Sequence, residues 1–332
     1  MNKKYLLGIE STAHTFGISI IDENFKILCN LKDSFTTERG GMIPTEVANH
    51  HQEVKERLYK EAVEIANIDE KEIFAVAISD SPGLAPCLKV GLDFAKSLCH
   101  KLKIPLVGVN HCIAHLEIGE ISGARDPVLL YVSGANTQII SYEGKKYRIF
   151  GETLDLGIGN FIDSFAREAG IGFPAGPKIE EIAKKGKKLI LLPYSIKGMD
   201  VSFSGILTKL KNLLKEGEKI EDLAYSLQEI SFAMIVEATE RALAHLQKKE
   251  LLLGGGVACN KRLQEMCRIM CEERGVKFFC PEKQYLVDNA AMIAYLGLKM
   301  FNAGAYYKYE DIEKADFNPK KRTDMVEVLW KE

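Results

Sequence analysis

Residues 126–144, DPVLLYVSGANTQIISYEG, have the pattern of a strand, a short polar turn and a second strand. The same pattern occurs at residues 3–22, KKYLLGIESTAHTFGISIID. The two turns align as S-x-A-x-T over residues 11–15 and 133–137. A strand–turn–strand unit that restarts partway along a chain of 332 residues predicts two related lobes.

Strand and helix patterns alternate after the first hairpin. The helix predicted over residues 44–66 has one apolar stripe, formed by Val47, Val54, Leu58, Ala62 and Ile65. Residues 73–80 and 104–109 are short apolar runs typical of buried strands, and each is followed by a helical pattern. This alternation predicts an α/β architecture.

The second hairpin sets the expected domain boundaries. The first lobe would span residues 1–122, and the second lobe would span residues 123–297 and contain a helical insertion. We expect the segment from about 298 to 332 to pack back onto the first lobe. Each lobe is long enough to bury a core of its own.

Composition excludes some classes of protein. The formal net charge of -2 argues against a chain that grips nucleic acid through a global positive field, although Lys184, Lys185, Lys187 and Lys188 form a local basic cluster. The 8 cysteines include no C-x-x-C pair, which indicates reduced thiols and a cytoplasmic location. The sequence has no run of about 18 apolar residues, so we expect no membrane span.

A triple glycine, Gly254, Gly255 and Gly256, lies between an apolar strand and a helix in LLLGGGVACN. Glycines let the backbone approach a ligand closely, and a helix start offers unpaired N–H groups. The turn is either a phosphate or nucleotide site or a structural tight turn. The two polar hairpin turns, which could also surround a phosphate, favour a nucleotide cleft between lobes.

Two of the chain's 7 histidines, His111 and His115, lie four residues apart in a predicted helix capped by Asn110. At this spacing their Cβ atoms are about 6 Å apart on one face, so both rings can reach one ion. Spacing alone leaves a metal site and a chance pairing equally open. Further ligands could be Tyr131, at a strand end, and Asp288, which could instead cap a helix. Nitrogen and oxygen ligands suit iron, manganese or zinc.

Two other polar positions allow both structural and functional interpretations. Gly176, Pro177 and Glu180 look like the start of a helix, or like a backbone and carboxylate pair that faces the cleft. Asp163 lies among apolar neighbours on a predicted helix, where a buried carboxylate needs a partner. That partner could be a ribose hydroxyl, a backbone amide that the carboxylate caps, or Arg167.

Seven motifs occur in one order: GIESTAHTFGISI, NHCIAHLE, YVSGANTQ, FPAGPKIE, MDVSFSGILT, GGGVACNKRL and DNAAMIAYLG. Together they resemble the tRNA N6-adenosine threonylcarbamoyltransferase family, and are most similar to its archaeal and eukaryotic branch, the catalytic subunit of the KEOPS complex. The resemblance runs from about Leu6 into the tail PKKRTDMVEVLW. Cys259 stands where the family pattern has a small apolar residue.

The resemblance implies a fold and a metal site. The fold would be that of the actin-like, sugar-kinase and heat-shock ATPase (ASKHA) superfamily: two lobes, each with a central mixed sheet flanked by helices, and a cleft between them. It also implies one divalent metal ion per chain, iron foremost, with zinc or manganese as alternatives. The implied ligands are His111, His115, Tyr131 and Asp288.

The resemblance also implies a reaction. Threonylcarbamoyl-adenylate would give its acyl group to N6 of the adenosine 3′ of the anticodon in tRNAs that read codons starting with A, releasing AMP. The adenylate would be carried by the substrate. Its implied binding residues are Tyr131, Val132, Ser133, Gly134, Ala135, Asp163, Gly176, Glu180 and Asn260. The implied partners are tRNA and KEOPS-type subunits, including a small atypical kinase/ATPase.

Two other functions remain open from the residues. An ATP-dependent kinase or ATPase of the same fold would need a catalytic carboxylate near the first hairpin, where Glu10 is the local candidate. A metallopeptidase built on His111 and His115 would need a general-base glutamate, and Glu117 is the one nearby.

Overall fold

The computed structural model describes residues 4–38 and 42–331. The strands of the first sheet are β1 (Tyr5–Glu10), β2 (Thr15–Asp22), β3 (Ile27–Ser34), β4 (Ile73–Ser81) and β5 (Leu106–Asn110). The strands of the second sheet are β6 (Val128–Val132), β7 (Thr137–Glu143), β8 (Lys146–Glu152), β11 (Glu250–Gly254) and β12 (Lys277–Phe279). A separate small hairpin contains β9 (Ile196–Lys197) and β10 (Asp200–Val201).

The two five-stranded sheets have the same topology. In the first, with order β3-β2-β1-β4-β5, the first three strands form an antiparallel meander, and β4 and β5 run parallel to β1. In the second, with order β12-β11-β6-β7-β8, β6 to β8 form the meander and β11 and β12 run parallel to β6. The restarted hairpin in the sequence therefore marks a repeated unit.

Helices connect and flank the sheets. They are α1 (Pro44–Ala66), α2 (Ala85–Leu102), α3 (His111–Glu117), α4 (Ile158–Glu168), α5 (Gly176–Ala183), α6 (Ser204–Lys215), α7 (Ile220–Leu246), α8 (Lys261–Arg274), α9 (Lys283–Leu286) and α10 (Ala290–Asn302). The bounds predicted for α1 are confirmed, but Ile65 is 59% exposed because none of the described residues covers that side of its last turn. None of the described helices is both long and apolar enough to cross a membrane.

The sheets and helices of the described residues enclose three large apolar cores. Helices α1 and α2 cover one face of the first sheet, and α4 to α8 cover the outer face of the second sheet. The third core lies between the sheets and contains α3 and α10. Gly8 in β1 allows α10 to lie directly on the strand, since a Cβ atom there would be 2.6 Å from the carbonyl oxygen of Ala290. Helix α3, which carries the two candidate histidines, and helix α10, which begins just after Asp288, are thus held between the lobes.

The C-terminal segment contacts both sheets. The N–H of Tyr307 donates to the carbonyl of Leu106 in β5 at 2.8 Å, and the ring of Trp330 stacks on Tyr147 in β8. The boundary expected between residues 297 and 298 falls inside α10, whose packing on the first sheet begins at Ala290. The division into lobes at residues 122 and 297 stays a prediction.

A buried carboxylate ties α3 to its neighbours. Glu117, the last residue of α3, is fully buried and lies 2.7 Å from Nζ of both Lys299 in α10 and Lys331 in the C-terminal segment. It also accepts a hydrogen bond from the hydroxyl of Tyr147 in β8. Burial alone would raise the pKa of Glu117, but Lys331 and Lys299 outweigh it and lower that pKa. One side chain thus joins two helices, the second sheet and the C-terminal segment.

We expect Glu117→Ala to lower the free energy of unfolding by about 3 kcal/mol, at the low end for a broken buried ion pair, because Lys331 loses its carboxylate partner whereas Lys299 keeps Glu120. The matched control is Lys89→Ala, which breaks an exposed pair with Asp93 in α2 and should cost less than about 1 kcal/mol. Urea unfolding followed by circular dichroism measures both. Because the folded pKa of Glu117 lies below its ordinary 4.5, its contribution should persist at neutral pH and be lost as acid titrates the folded carboxylate. Equal costs for the two variants would contradict this role.

Candidate functional site

Helix α3 begins where β5 ends, so its first turn lies at the carboxyl edge of the first sheet. The side chain of Asn110 accepts hydrogen bonds from the N–H groups of Cys112 and Ile113 at 3.1 and 3.2 Å, which confirms the predicted cap. His111 and His115 then occupy successive turns on one face, and their ring centroids are 4.9 Å apart. Both side chains are buried between the lobes.

Asp288 joins the two histidines. Its Oδ1 lies 3.3 Å from Nε2 of His111 and 3.6 Å from Nε2 of His115. One ligand atom from each of the three residues lies within 4.8 Å of the others. Neither ring nitrogen of His115 has a hydrogen-bond partner among the described residues, although both are buried. A metal ion would satisfy such a nitrogen, so this group of donors fits the expected metal site.

The alternative in which Asp288 only caps a helix is wrong. The side chain of Asn289 caps α10 by accepting from the N–H of Met292 at 3.0 Å, which leaves the Asp288 carboxylate free to face the histidines. Burial would raise the pKa of Asp288, but the charge of His111 and the close approach of both rings hold that pKa well below its usual range. The carboxylate is therefore ionised and available as an oxygen ligand at neutral pH.

Glu10 and Thr12 support the site from the first hairpin turn. Oε2 of Glu10 lies 2.9 Å from Nδ1 of His111, and its Oε1 accepts from the hydroxyl of Thr12 at 2.6 Å. A carboxylate accepts hydrogen bonds, so Glu10 favours a proton on Nδ1 of His111 and turns Nε2 towards Asp288. Burial would lower the pKa of His111, but Glu10 and Asp288 outweigh it and raise that pKa.

Both carboxylates proposed as catalytic groups for the alternative functions already bind other side chains. Glu10, the candidate base of a kinase or ATPase, is bound to His111 and Thr12. Glu117, the candidate base of a peptidase, is bound to lysines and a tyrosine at the far end of α3. Glu117 is therefore not free to act as the general base that a peptidase would need beside the histidines.

Tyr131 connects the histidines to the glycine turn. Its ring centroid lies 5.0 Å from that of His115, and burial raises the pKa of its hydroxyl well above the usual range. Tyr131 in β6 pairs directly with Gly254 in β11. The position of Tyr131 beside the cluster agrees with a role as a fourth ligand. That role stays a prediction.

The triple-glycine turn packs on the end of β6. Gly255 has φ 93°, and a Cβ atom there would be 2.3 Å from the carbonyl oxygen of Val132, so only glycine fits. The N–H of Gly255 donates to the carbonyl of Leu286, next to the metal-ligand candidate Asp288. A Cβ atom on Gly256 would meet nothing within 4 Å. Gly255 therefore has a structural role in the turn, whereas the space beside Gly256 is open.

The second hairpin turn lies beside the glycine turn. The N–H of Ser133 donates to the carbonyl of Asn136, which closes the turn and leaves Gly134 and Ala135 at its tip. Gly157 and Gly159 pack against this tip. Residues 131–135 and 254–256 therefore form one continuous backbone surface near the histidines.

The remaining predicted residues lie on the helices that border this surface. Asp163 accepts from the N–H of Ala175 at 3.0 Å, and burial raises its pKa. Glu180 in α5 accepts from the N–H of Lys261 at 2.9 Å, so it ties α5 to the start of α8. Asn260 caps α8, and its amide also donates to Gln228. Gly176 begins α5 with open space beside its Cα. The substrate-binding roles of these residues stay predictions.

The family of the chain follows from comparison with known proteins. Residues 26–295 match the TsaD family, described as tRNA N6-adenosine threonylcarbamoyltransferase. The chain is 54% identical over 326 residues to the protein of that name from Thermococcus kodakarensis, and the match covers 98% of this chain and 99% of the relative. The relative of the same name from Archaeoglobus fulgidus is 50% identical over 325 residues, with the same shares covered. The chain belongs to the tRNA N6-adenosine threonylcarbamoyltransferase family, whose members are transferases that act on tRNA.

Solved structures identify the fold. Thermococcus kodakarensis HypF has a TM-score of 0.63 at 14% identity, covering 94% of this chain and 49% of that one. The activator of 2-hydroxyisocaproyl-CoA dehydratase from Clostridium difficile, with bound ADPNP, has a TM-score of 0.57 at 11% identity, covering 90% of this chain and 96% of that one. These neighbours share the actin-like ATPase fold, and the expected fold class is confirmed.

We expect the protein purified with its metal to lose that metal in the His111→Ala, His115→Ala double variant, because two of the converging donors are gone. Glu10→Gln should weaken metal affinity about 10–100-fold, since it removes the carboxylate that orients His111. Elemental analysis and competition with a chelator measure both. His100→Ala, at an exposed position paired with Glu313, is the control. Full metal occupancy in the double variant would refute the site.

We expect Gly256→Val to weaken binding of AMP at least tenfold without changing stability, because its side chain would enter open space beside the glycine turn. Isothermal titration calorimetry measures the affinity, and thermal unfolding checks the fold. Gly205→Val, at an exposed position in the first turn of α6 with nothing within 4 Å of its added Cβ atom, is the control for AMP affinity. AMP affinity equal to that of the unaltered protein, in a folded Gly256→Val variant, would count against a nucleotide at this turn.

Proposed function

We propose that this chain transfers the threonylcarbamoyl group of threonylcarbamoyl-adenylate to N6 of the adenosine 3′ of the anticodon, in tRNAs that read codons starting with A. The observation that carries the proposal is the meeting of His111, His115 and Asp288 next to the turn of Gly254 to Gly256. A candidate metal site beside a candidate phosphate site suits an acyl donor that ends in an adenylate. The identity of 54% to a relative named for this transfer supports it.

The reaction is an acyl transfer with a poor nucleophile. The N6 amine is weakly nucleophilic because its lone pair is delocalised into the adenine ring. N6 forms a bond to the carbamoyl carbon, the bond from that carbon to the phosphate oxygen breaks, and N6 loses one proton. AMP leaves as a phosphate monoester, which is a stable anion. The chain must therefore hold the donor and the adenosine together and stabilise charge on the donor.

The residues of the second lobe suit the adenylate. The backbone of Gly254 to Gly256 offers close approach to a phosphate, and residues 131–135 extend the same surface. Asp163 would accept from a ribose hydroxyl, and Glu180 and Asn260 would border the nucleotide at the start of α8. Gly176 leaves room beside them. Binding here would place the acyl group towards the histidines.

Iron is the metal we propose for His111, His115, Asp288 and Tyr131, with zinc or manganese as alternatives. Nitrogen and oxygen donors suit all three ions. When bound, the ion would supply Lewis-acid polarisation of the carbonyl or anchor the donor. Glu10 holds the His111 ring so that Nε2 faces this position. The buried ring nitrogens of His115, which have no hydrogen-bond partner among the described residues, support a ligand there.

We also propose that KEOPS-type subunits, including a small atypical kinase/ATPase, act with this chain on tRNA in the cytoplasm. The net charge of -2 gives little long-range attraction for tRNA, so partner subunits would supply many of the contacts that bind tRNA. A relative from Methanocaldococcus jannaschii, 49% identical over 98% of this chain, is named a probable bifunctional tRNA threonylcarbamoyladenosine biosynthesis protein, and the match covers 60% of its length. All eight cysteines are free, as a reducing compartment would keep them.

The test is mass spectrometry of nucleosides from tRNA incubated with this chain and threonylcarbamoyl-adenylate. We expect N6-threonylcarbamoyladenosine to form slowly with the chain alone and at least tenfold faster with partner subunits, because partners add tRNA contacts. Asp288→Asn should abolish product formation because it removes a charged ligand from the cluster. Asp93→Asn, at an exposed pair in α2, is the matched control.

Absence of the modified nucleoside with partners present, in a protein that retains its metal, would refute the proposed transfer. Full turnover by the chain alone would refute the dependence on partners and leave the transfer itself intact.

A further inference from the structure

His14 lies in the first hairpin turn, at the same carboxyl edge of the first sheet as the first turn of α3. Thr12, two residues earlier in this turn, has its hydroxyl 3.2 Å from Nδ1 of His111. Because two residues span at most about 7 Å of chain, the backbone of His14 lies close to the candidate metal site. The carbonyl of His14 accepts from the N–H of Phe35 at 2.8 Å, which fixes the end of the turn.

The ring of His14 contacts the second lobe. It meets the ring of Phe173 edge to face, with the centroids 5.4 Å apart and the planes at 89°. Phe173 comes two residues before Ala175, whose N–H donates to the predicted substrate residue Asp163 at 3.0 Å. Burial raises the pKa of Asp163, and the bond from Ala175 and the charge of His14 oppose that rise. The imidazole of His14 therefore lies between the metal donors and the predicted nucleotide residues.

The ring nitrogens of His14 are free to bind a proton. Neither has a hydrogen-bond partner in residues 4–38 and 42–331, and the side chain is only partly buried. The other six histidines are bound or lie elsewhere: His111 and His115 in the metal site, His50 on Asp33, His51 on the carbonyl of Ala13, His100 on Glu313, and His245 exposed on α7. His14 is thus the imidazole that the cleft has to spare.

The transfer needs a group that accepts a proton. As N6 bonds to the carbamoyl carbon, the electron pair of the breaking bond moves to the phosphate oxygen of AMP, and N6 must give up one proton. A neutral imidazole accepts a proton near neutral pH and is the commonest general base. The carboxylates near the site already accept hydrogen bonds or face the histidines: Glu10, Asp163, Glu180 and Asp288.

We propose that His14 is the proton acceptor of the transfer. A ring nitrogen of His14 takes the proton from N6 as the bond to the carbamoyl carbon forms, and then releases it to solvent. The proposal rests on the proposed function, which supplies the amine. The edge contact with Phe173 holds the ring in place, so the base is oriented before the adenosine arrives.

The test is the single-turnover rate of the complex of this chain with its partner subunits, at saturating threonylcarbamoyl-adenylate and tRNA, with product measured by mass spectrometry. His14→Ala should lower this rate about 100-fold or more, as general-base catalysis contributes about 10²–10⁴-fold. Metal content and AMP affinity should stay unchanged. Added imidazole should raise the rate of His14→Ala in proportion to its concentration, and should leave the unaltered complex as it is.

A second variant separates proton transfer from packing. His14→Phe keeps a ring that can contact Phe173 but cannot accept a proton, so we expect it to be as slow as His14→Ala. His14→Gln, which keeps hydrogen-bonding atoms without a basic nitrogen, should be equally slow. The matched control is His100→Ala, at the exposed pair with Glu313, which should keep the full rate. Thermal unfolding checks the fold of each variant.

The unaltered rate in a folded His14→Phe or His14→Gln variant would overturn the proposal, because His14 would then only pack or donate. Loss of metal from His14→Ala, or a slow His14→Ala that imidazole does not accelerate, would overturn it as well. Absence of product from the unaltered complex would refute the transfer itself, and the role of His14 with it, before any variant is compared.

Discussion

The contact between Glu10 and His111 is the constraint on which the rest of the site depends. It joins the first hairpin turn to the helix between the lobes and decides which ring nitrogen of His111 faces Asp288. Without this contact, the buried ring of His111 could rotate, and the three donor atoms would no longer converge on one position. The contact exists because β1 and β5 both run parallel to β4, so their carboxyl ends reach the same edge of the sheet.

The position of α3 between two sheets explains why the site can be both buried and accessible to a ligand. Its apolar residues, such as Cys112 and Ile113, fill the core shared by the lobes. Its polar residues line the cleft at one end and bind the Glu117 network at the other. The helix is therefore anchored at both ends, and it holds the histidines in fixed positions. Preorganised ligands of this kind bind a metal ion without a large ordering cost.

The sequence predicted the elements whose signals are local. The restarted hairpin predicted two α/β lobes, the apolar stripe predicted the bounds of α1, and Asn110 predicted the start of α3. Contacts between distant residues were not predictable in this way. The role of Glu10 required knowing that β1 and β5 share an edge, and the fate of Glu117 required knowing that Lys331 reaches it. Ile65 has the angular position of a core residue, and only the surrounding structure shows that its turn is uncovered.

The central claim is that one metal ion binds His111, His115 and Asp288 in the orientation that Glu10 imposes. X-ray absorption spectroscopy at the metal edge of the purified protein tests it most directly. The account predicts a shell of nitrogen and oxygen ligands at about 2.0–2.2 Å, with the multiple-scattering signature of two imidazoles that disappears in the double histidine variant. A sulfur shell near about 2.3 Å, from any of the free cysteines, or a spectrum unchanged by loss of both histidines, would contradict it.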